Sequence, residues 1–157
     1  MKKNVAENVL QYVPGIVAFL SIVLLDQTLK AFIASRDAAY RLELIPRVFW
    51  LSRVENTGTS FGLFQNSNVL FVWIAIAIFG ILLFLHNRFT TKNERFAYWL
   101  LLAGLVGNAI DRIARGTVID LFDLGWFPVF NIADAAITSA VLLLLADELL
   151  RSRAERV

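Results

Sequence analysis

The chain contains no cysteine. That excludes a disulfide framework, a thiolate metal site and a cysteine nucleophile. It has one histidine, His86, which cannot by itself build a histidine-rich metal centre. His86 also lies far from the other polar residues of interest, and Ser60 and Ser67 have no histidine or lysine in an evident pattern. A serine triad is therefore not expected. Charge is scarce as well, at 18% of 157 residues, where a soluble domain carries about a quarter. The net charge is +2, and it is scattered rather than striped, which argues against a nucleic-acid partner. No internal repeat and no low-complexity segment is present. The length suits one domain rather than two.

What the chain has in excess is apolar sequence, 58% of it, gathered in blocks. Four segments qualify as transmembrane helices by length and apolarity, at roughly 12–33, 68–87, 96–113 and 129–149. Lys2 and Lys3 precede the first, as they do in a cleaved signal peptide. That run is long, contains Asp26 and lacks a small-x-small cleavage pattern, so it reads as a retained helix. The N-terminal tail (Lys2, Lys3), the connection between the second and third helices (Arg88, Lys92, Arg95) and the C-terminal tail (Arg151, Arg153, Arg156) fall on one side. The positive-inside rule makes that side the cytoplasm, with both termini on it. The outer connection from about 34 to 67 is too long for a simple turn. Within it, residues 48–56 have strand-like composition, preceded by Pro46 and ended by Thr57-Gly58. Trp50 and Trp126-Phe127 suit the lipid headgroup level.

Against this background the polar residues near the apolar blocks need reasons. A carboxylate near the hydrocarbon region is costly and by default marks a functional site. Asp120, in Val118-Ile119-Asp120-Leu121-Phe122, and Asp134, in Phe130-Asn131-Ile132-Ala133-Asp134-Ala135, are the two best candidates. Two carboxylates placed to meet form an acid–base pair that shares one proton. Taken singly, Asp134 also fits the first turn of the fourth helix, where the helix dipole favours an acid. Asp123 competes with Asp120. Asp26 and Lys30, four apart, share a helix face and can pair. Asn108, Asp111 and Arg112 share another face, which must turn to the bundle or to an aqueous cleft. It serves either interhelical hydrogen bonding or the orientation of a catalytic carboxylate. Asn56-Thr57-Gly58 alone reads as a turn. A divalent cation held by the two acids ranks lower, because no further acidic ligands stand at regular spacing.

Five segments together resemble the bacterial lipoprotein signal peptidases, the type II signal peptidases. They are Asp26-Gln27-Thr28-Leu29-Lys30, Asn56-Thr57-Gly58-Thr59-Ser60-Phe61, Gly107-Asn108-Ala109-Ile110-Asp111-Arg112, Gly116-Thr117-Val118-Ile119-Asp120 and Phe130-Asn131-Ile132-Ala133-Asp134-Ala135. The resemblance implies an all-α membrane protein of four transmembrane helices. It adds a small extramembrane β-cradle and a short amphipathic helix between the first two, with 34–45 as that helix's place. It implies an aspartyl endopeptidase of the bacterial inner membrane that cuts prolipoproteins just before their diacylglyceryl cysteine. Asp120 and Asp134 are the implied catalytic pair. Asn108, Arg112 and Asn131 would support them, with Asp111 in the same cluster, and Asp26, Lys30, Asn56 and Gly58 would shape the site or hold substrate. No metal or organic cofactor is implied, and the chain is expected to act as a monomer among membrane lipids. This sequence departs from the family at Thr59-Ser60-Phe61-Gly62, at Ala103-Gly104 and in its short connection between the two aspartates.

Two other readings compete on the residues alone. One is a proton or ion relay through Asp120, Asp134 and Arg112. It calls for acids staggered through the bilayer, whereas these gather near one face. The other is a structural subunit with buried salt bridges, in which Asp120→Asn costs stability rather than activity.

Overall fold

The computed structural model describes residues 10–58 and 67–154. The Thr59-Ser60-Phe61-Gly62 departure lies outside them. Four long helices form the body: α1 (Val13–Ala34), α2 (Asn68–Phe84), α3 (Lys92–Ala114) and α4 (Ile132–Ala154). Three strands form a small antiparallel sheet in the order β1 (Arg41–Ile45), β2 (Phe49–Asn56) and β3 (Val118–Asp123). The expected strand at 48–56 is β2. The amphipathic helix placed at 34–45 is overturned, because those residues hold the end of α1, a turn and β1. Arg41-Leu42-Glu43-Leu44 alternates polar and apolar residues, which is the two-residue period of a strand rather than a helical one.

Local chemistry sets the helix ends. α1 carries Pro14 in its first turn, where a missing N–H costs nothing. α3 opens on a capping box: Thr91 accepts from the Glu94 N–H at 3.0 Å while Glu94 accepts from the Thr91 N–H at 2.8 Å. α1 and α3 are long and apolar enough to cross a membrane. α2 has 17 residues, roughly 25 Å of helix against about 30 Å of hydrocarbon. α4 is long enough, but Asp134, Asp147, Glu148, Arg151 and Arg153 interrupt its apolarity.

Burial is inverted relative to a soluble protein. Leu24 is 71% exposed and Phe84 86%, whereas Asp26, Lys30, Asp111 and Asn131 are completely buried. An apolar outer surface of this extent is an aggregation liability in water and the normal state in lipid. The helices approach closely at glycine. A Cβ on Gly104 would lie 2.4 Å from the Ala133 carbonyl oxygen of α4, and one on Gly107 would lie 2.8 Å from Asp26 Oδ2 of α1. Small residues at such positions let helices meet closely.

The sheet sits at the end of the bundle where α1 and α3 finish. Ile119 and Leu121 of β3 pack on Ile33 of α1. β2 pairs with β3 so that Val54 lies opposite Asp120 and Asn56 opposite Val118, with a register shift between Leu51 and Val54. Beyond β3 the chain turns through Gly125, at φ +77°, a conformation easy only for glycine. It returns to bridge Phe130 to Phe122, whose N–H groups and carbonyls meet at 2.8 and 3.1 Å. That bridge delivers the start of α4 beside β3.

Candidate active site

Asp120 comes from the middle of β3 and is 2% exposed. Asp134 comes from the first turn of α4. The Phe122–Phe130 bridge brings these elements together, and Asn131 joins them. Asn131 precedes α4, and its Oδ1 accepts from the Asp134 N–H at 2.9 Å. Asp134 Oδ2 accepts in turn from the Asn131 N–H at 3.3 Å. This is the reciprocal geometry of a capping box with aspartate in the acidic place. The Asn131 amide then donates to Asp120 Oδ1 at 2.7 Å. One fully buried asparagine thus binds both carboxylates.

The remaining oxygens are also met. Asn108 donates to Asp134 Oδ1 at 2.7 Å, and Asn56 donates to Asp120 Oδ2 at 3.0 Å. Asn56 Oδ1 accepts from the Gly58 N–H at 2.9 Å, which fixes the orientation of its amide. Asn108 is oriented by Lys30, whose Nζ donates to Asn108 Oδ1 at 3.0 Å. An ammonium has no acceptor, so Asn108 must turn its oxygen to Lys30 and its NH₂ to Asp134. Asn131 donates to the same Asn108 oxygen at 3.1 Å.

Lys30 anchors a second layer. Its other protons meet Asp26 Oδ2 at 2.8 Å and Asp111 Oδ2 at 3.2 Å. Asp26 also accepts from the Ala133 N–H at 2.9 Å, in the first turn of α4. Asp111 accepts from the Ile119 N–H at 3.1 Å and pairs with Arg115. α1, α3, β3 and α4 are therefore tied together around one ammonium. The Asp26–Lys30 pair foreseen from spacing is present, and Asp111 completes it.

Arg112 donates to the Gly58 carbonyl at 3.4 Å and stands over Phe71 at 5.2 Å. Its charge acts on Asp134, Asp120 and Asp111. Asp123 is occupied elsewhere: it pairs with Arg41 at 3.0 Å and accepts from Ser52 at 3.3 Å. Asp120, not Asp123, is the strand acid placed beside Asp134. Burial, reinforced by the neighbouring Asp134 charge and opposed by hydrogen bonds from Asn56 and Asn131, pushes the Asp120 carboxyl up to about 7.

Beside Asp134 opens a cavity of about 440 Å³, walled by Phe127, Pro128, Phe130, Ala135, Thr138 and Ser139. Sequence reasoning missed Phe130, Thr138 and Ser139 as lining residues. Thr138 and Ser139 lie four and five residues beyond Asp134, so their position one turn along α4 was the available signal. The arrangement is two carboxylates, each held by hydrogen bonds from asparagine, beside a largely apolar groove. It suits acid–base activation of water on a bound amide.

The family model for signal peptidase (SPase) II matches residues 18–150. A lipoprotein signal peptidase of Symbiobacterium thermophilum is 39% identical over 146 residues, covering 88% of this chain and 96% of that protein. One of Shouchella clausii is 36% identical over 141 residues, covering 87% and 93%. The fold matches a bacterial membrane enzyme solved in meso at 2.3 Å resolution, with a TM-score of 0.84, 29% identity and 92% of both chains covered. A second such enzyme, solved at 1.9 Å, gives a TM-score of 0.78 at 31% identity over 87% of this chain and 92% of that one. The chain belongs to the signal peptidase II family.

Proposed function

We propose that this protein is a membrane-embedded aspartyl endopeptidase that removes signal peptides from prolipoproteins, with Asp120 and Asp134 as its catalytic pair. The single observation that carries the pairing is Asn131, whose side-chain amide donates to the Asp120 carboxylate and whose backbone N–H donates to the Asp134 carboxylate. Family membership supports the substrate, and the groove beside Asp134 supports an extended apolar peptide next to the acids.

The reaction runs on one shared proton. Two close carboxylates, one buried and one half-buried, do not both ionise cheaply, so one keeps its proton. The charged one removes a proton from water, whose oxygen attacks the scissile carbonyl carbon. The protonated one donates to the carbonyl oxygen, giving a neutral tetrahedral diol. The protonated carboxyl then gives its proton to the amide nitrogen while the other carboxylate takes one from a diol hydroxyl, and the C–N bond breaks. The new carboxyl and amine leave, and the pair again holds a single proton. Asn108, Asn56 and Asn131 hold the carboxylates still throughout, so little reorganisation is needed as charge moves. No step requires a metal or organic cofactor.

The whole chain is read as one integral domain of four membrane spans in the bacterial inner membrane, acting as a monomer without nucleic acid. Both termini lie in the cytoplasm and the acid pair near the outer face. The basic residues at the N-terminal ends of α1 and α3 and the C-terminal end of α4 support that orientation. The gathering of the buried ionisable residues Asp26, Lys30, Asp111 and Asp120 at one end of the bundle favours hydrolysis over a transmembrane relay, which calls for staggered acids. The cut is placed just before a diacylglyceryl-modified cysteine, whose lipid stays in the bilayer. The test is to incubate the purified protein in lipid with a prolipoprotein carrying or lacking the diacylglyceryl group and to map products by mass. Cleavage of the modified substrate at that bond alone is expected. Cleavage elsewhere, or none by a well-folded protein, would overturn the reading.

A further inference from the structure

At the end of the bundle away from the acid pair, a cavity of about 420 Å³ opens between the starts of α1 and α3. Gly15 meets Trp99 at this end, while Lys30 meets Asp111 at the other, so the two helices run in the same direction. Lys92 and Asn108 stand 16 residues apart on α3, roughly 24 Å at 1.5 Å per residue. The cavity is therefore most of a hydrocarbon layer away from the catalytic pair.

Its lining has two characters. Lys92, Arg95 and Gln11 supply donors, and Pro14, Phe96 and Trp99 supply an apolar wall. Among the described residues, no carboxylate lines it. Glu94 is held by Thr91 and pairs with Arg151 at 2.8 Å. Asp147 pairs with Arg151 at 3.1 Å and accepts from Asn93 at 2.9 Å. Among the described residues neither Lys92 nor Arg95 has an acidic partner, although Arg95 donates one N–H to the Thr90 carbonyl at 2.6 Å. Two cations in the first turn of a helix also oppose its dipole. Among the described residues the lining lacks an anion, and Phe96, Val13, Ile16 and Val17 continue the apolar wall onto the exposed surface.

We propose that this cavity binds the phosphate of an anionic glycerophospholipid, with its acyl chains leaving along the apolar surface of α1. The donors alone suit any phosphate. The aromatic wall and the continuous apolar exit select the lipid over free phosphate. The proposal rests on the chain lying in a bilayer and is independent of peptide cleavage.

Delipidated protein in non-ionic detergent is titrated with phosphatidylglycerol, phosphatidylcholine or inorganic phosphate and followed by native mass spectrometry. One phosphatidylglycerol is expected to bind at least roughly tenfold more tightly than phosphatidylcholine, and Lys92→Glu to lower that affinity roughly tenfold. An acid suits the first turn of a helix, so Lys92→Glu keeps its thermal unfolding and lost binding is not lost folding. Arg153→Gln, outside the cavity, leaves binding unchanged. Equal binding of the two lipids, an unaffected Lys92→Glu, or equally tight binding of inorganic phosphate overturns the proposal. A protein that selects phosphatidylglycerol but cleaves nothing overturns the peptidase reading alone. One that cleaves but binds both lipids alike overturns this one alone.

Discussion

At the sheet end of the bundle, Lys30 is fully buried and directs its three protons at Asp26, Asp111 and Asn108. At the far end, Lys92 stands exposed beside a cavity at which no acid among the described residues meets it. The same side chain does two jobs. Where every donor and acceptor is matched inside low-dielectric surroundings, charge fixes geometry. Where charge is left unmatched at an open cavity, it is available to a ligand. The difference makes the sheet end sensitive to any single deletion and the far end tolerant of it.

Lys30→Met tests the contrast most severely. It leaves Asp26 and Asp111 buried without their shared cation, which costs about 3–5 kcal/mol. Unfolding in detergent measures it, and Lys92→Met in the same assay is expected within about 0.5 kcal/mol of wild type. Equal losses would erase the distinction between the two ends.

Asn108→Ala comes next. It removes the donor that holds Asp134 and the acceptor that holds Lys30. Turnover is expected to fall by a factor on the order of 10²–10³, with KM for a prolipoprotein substrate little changed because Asn108 does not line the groove. A rise in KM at unchanged kcat would assign Asn108 to substrate binding instead.

Gly104→Ala places a methyl 2.4 Å from the Ala133 carbonyl oxygen. Overpacking of this kind costs roughly 1–3 kcal/mol and shifts the start of α4, on which Asp134 rides. Gly80→Ala, with open space around its Cβ position, serves as the comparison and leaves both stability and activity near wild type.

The pH dependence is the mildest probe. The Asp120 carboxyl is raised from its ordinary 3.8 to about 7, so the folded protein binds more protons than the unfolded chain between those values. Stability therefore falls as pH rises through that window. Above about 7 the pair loses its shared proton and hydrolysis falls too. Asp120→Asn flattens the stability slope. Denaturant titrations at pH 5 and pH 8 check it, and an unchanged slope in the variant would place the titrating group elsewhere.

Much of this architecture is legible in the amino-acid order. Asp120 and Asp134 stand out because carboxylates beside apolar runs are expensive, and the four helices follow from length and apolarity. The Asp26–Lys30 pair follows from helical spacing. Strand β3 did not stand out, because Val118–Asp123 is defined by pairing with β2, and register is not written in either segment alone. For the same reason Asn56 read as a turn residue, whereas its reach to Asp120 depends on its place opposite Val118. The helix expected at 34–45 came from resemblance and set aside the alternation of Arg41-Leu42-Glu43-Leu44. The choice between Asp120 and Asp123 needed the sheet as well, since Arg41 and Ser52 claim Asp123 only once β1 and β2 are in place.

The proposed reaction depends on Asp120 and Asp134 acting as one acid–base pair held by Asn131. The direct measurement is cleavage of a diacylglyceryl prolipoprotein in lipid by wild type, Asp120→Asn and Asp134→Asn, each checked for folding by thermal unfolding. Cleavage is expected from wild type alone, with both variants folded and neither cleaving above the background without enzyme. Substantial cleavage by either folded single variant would contradict it.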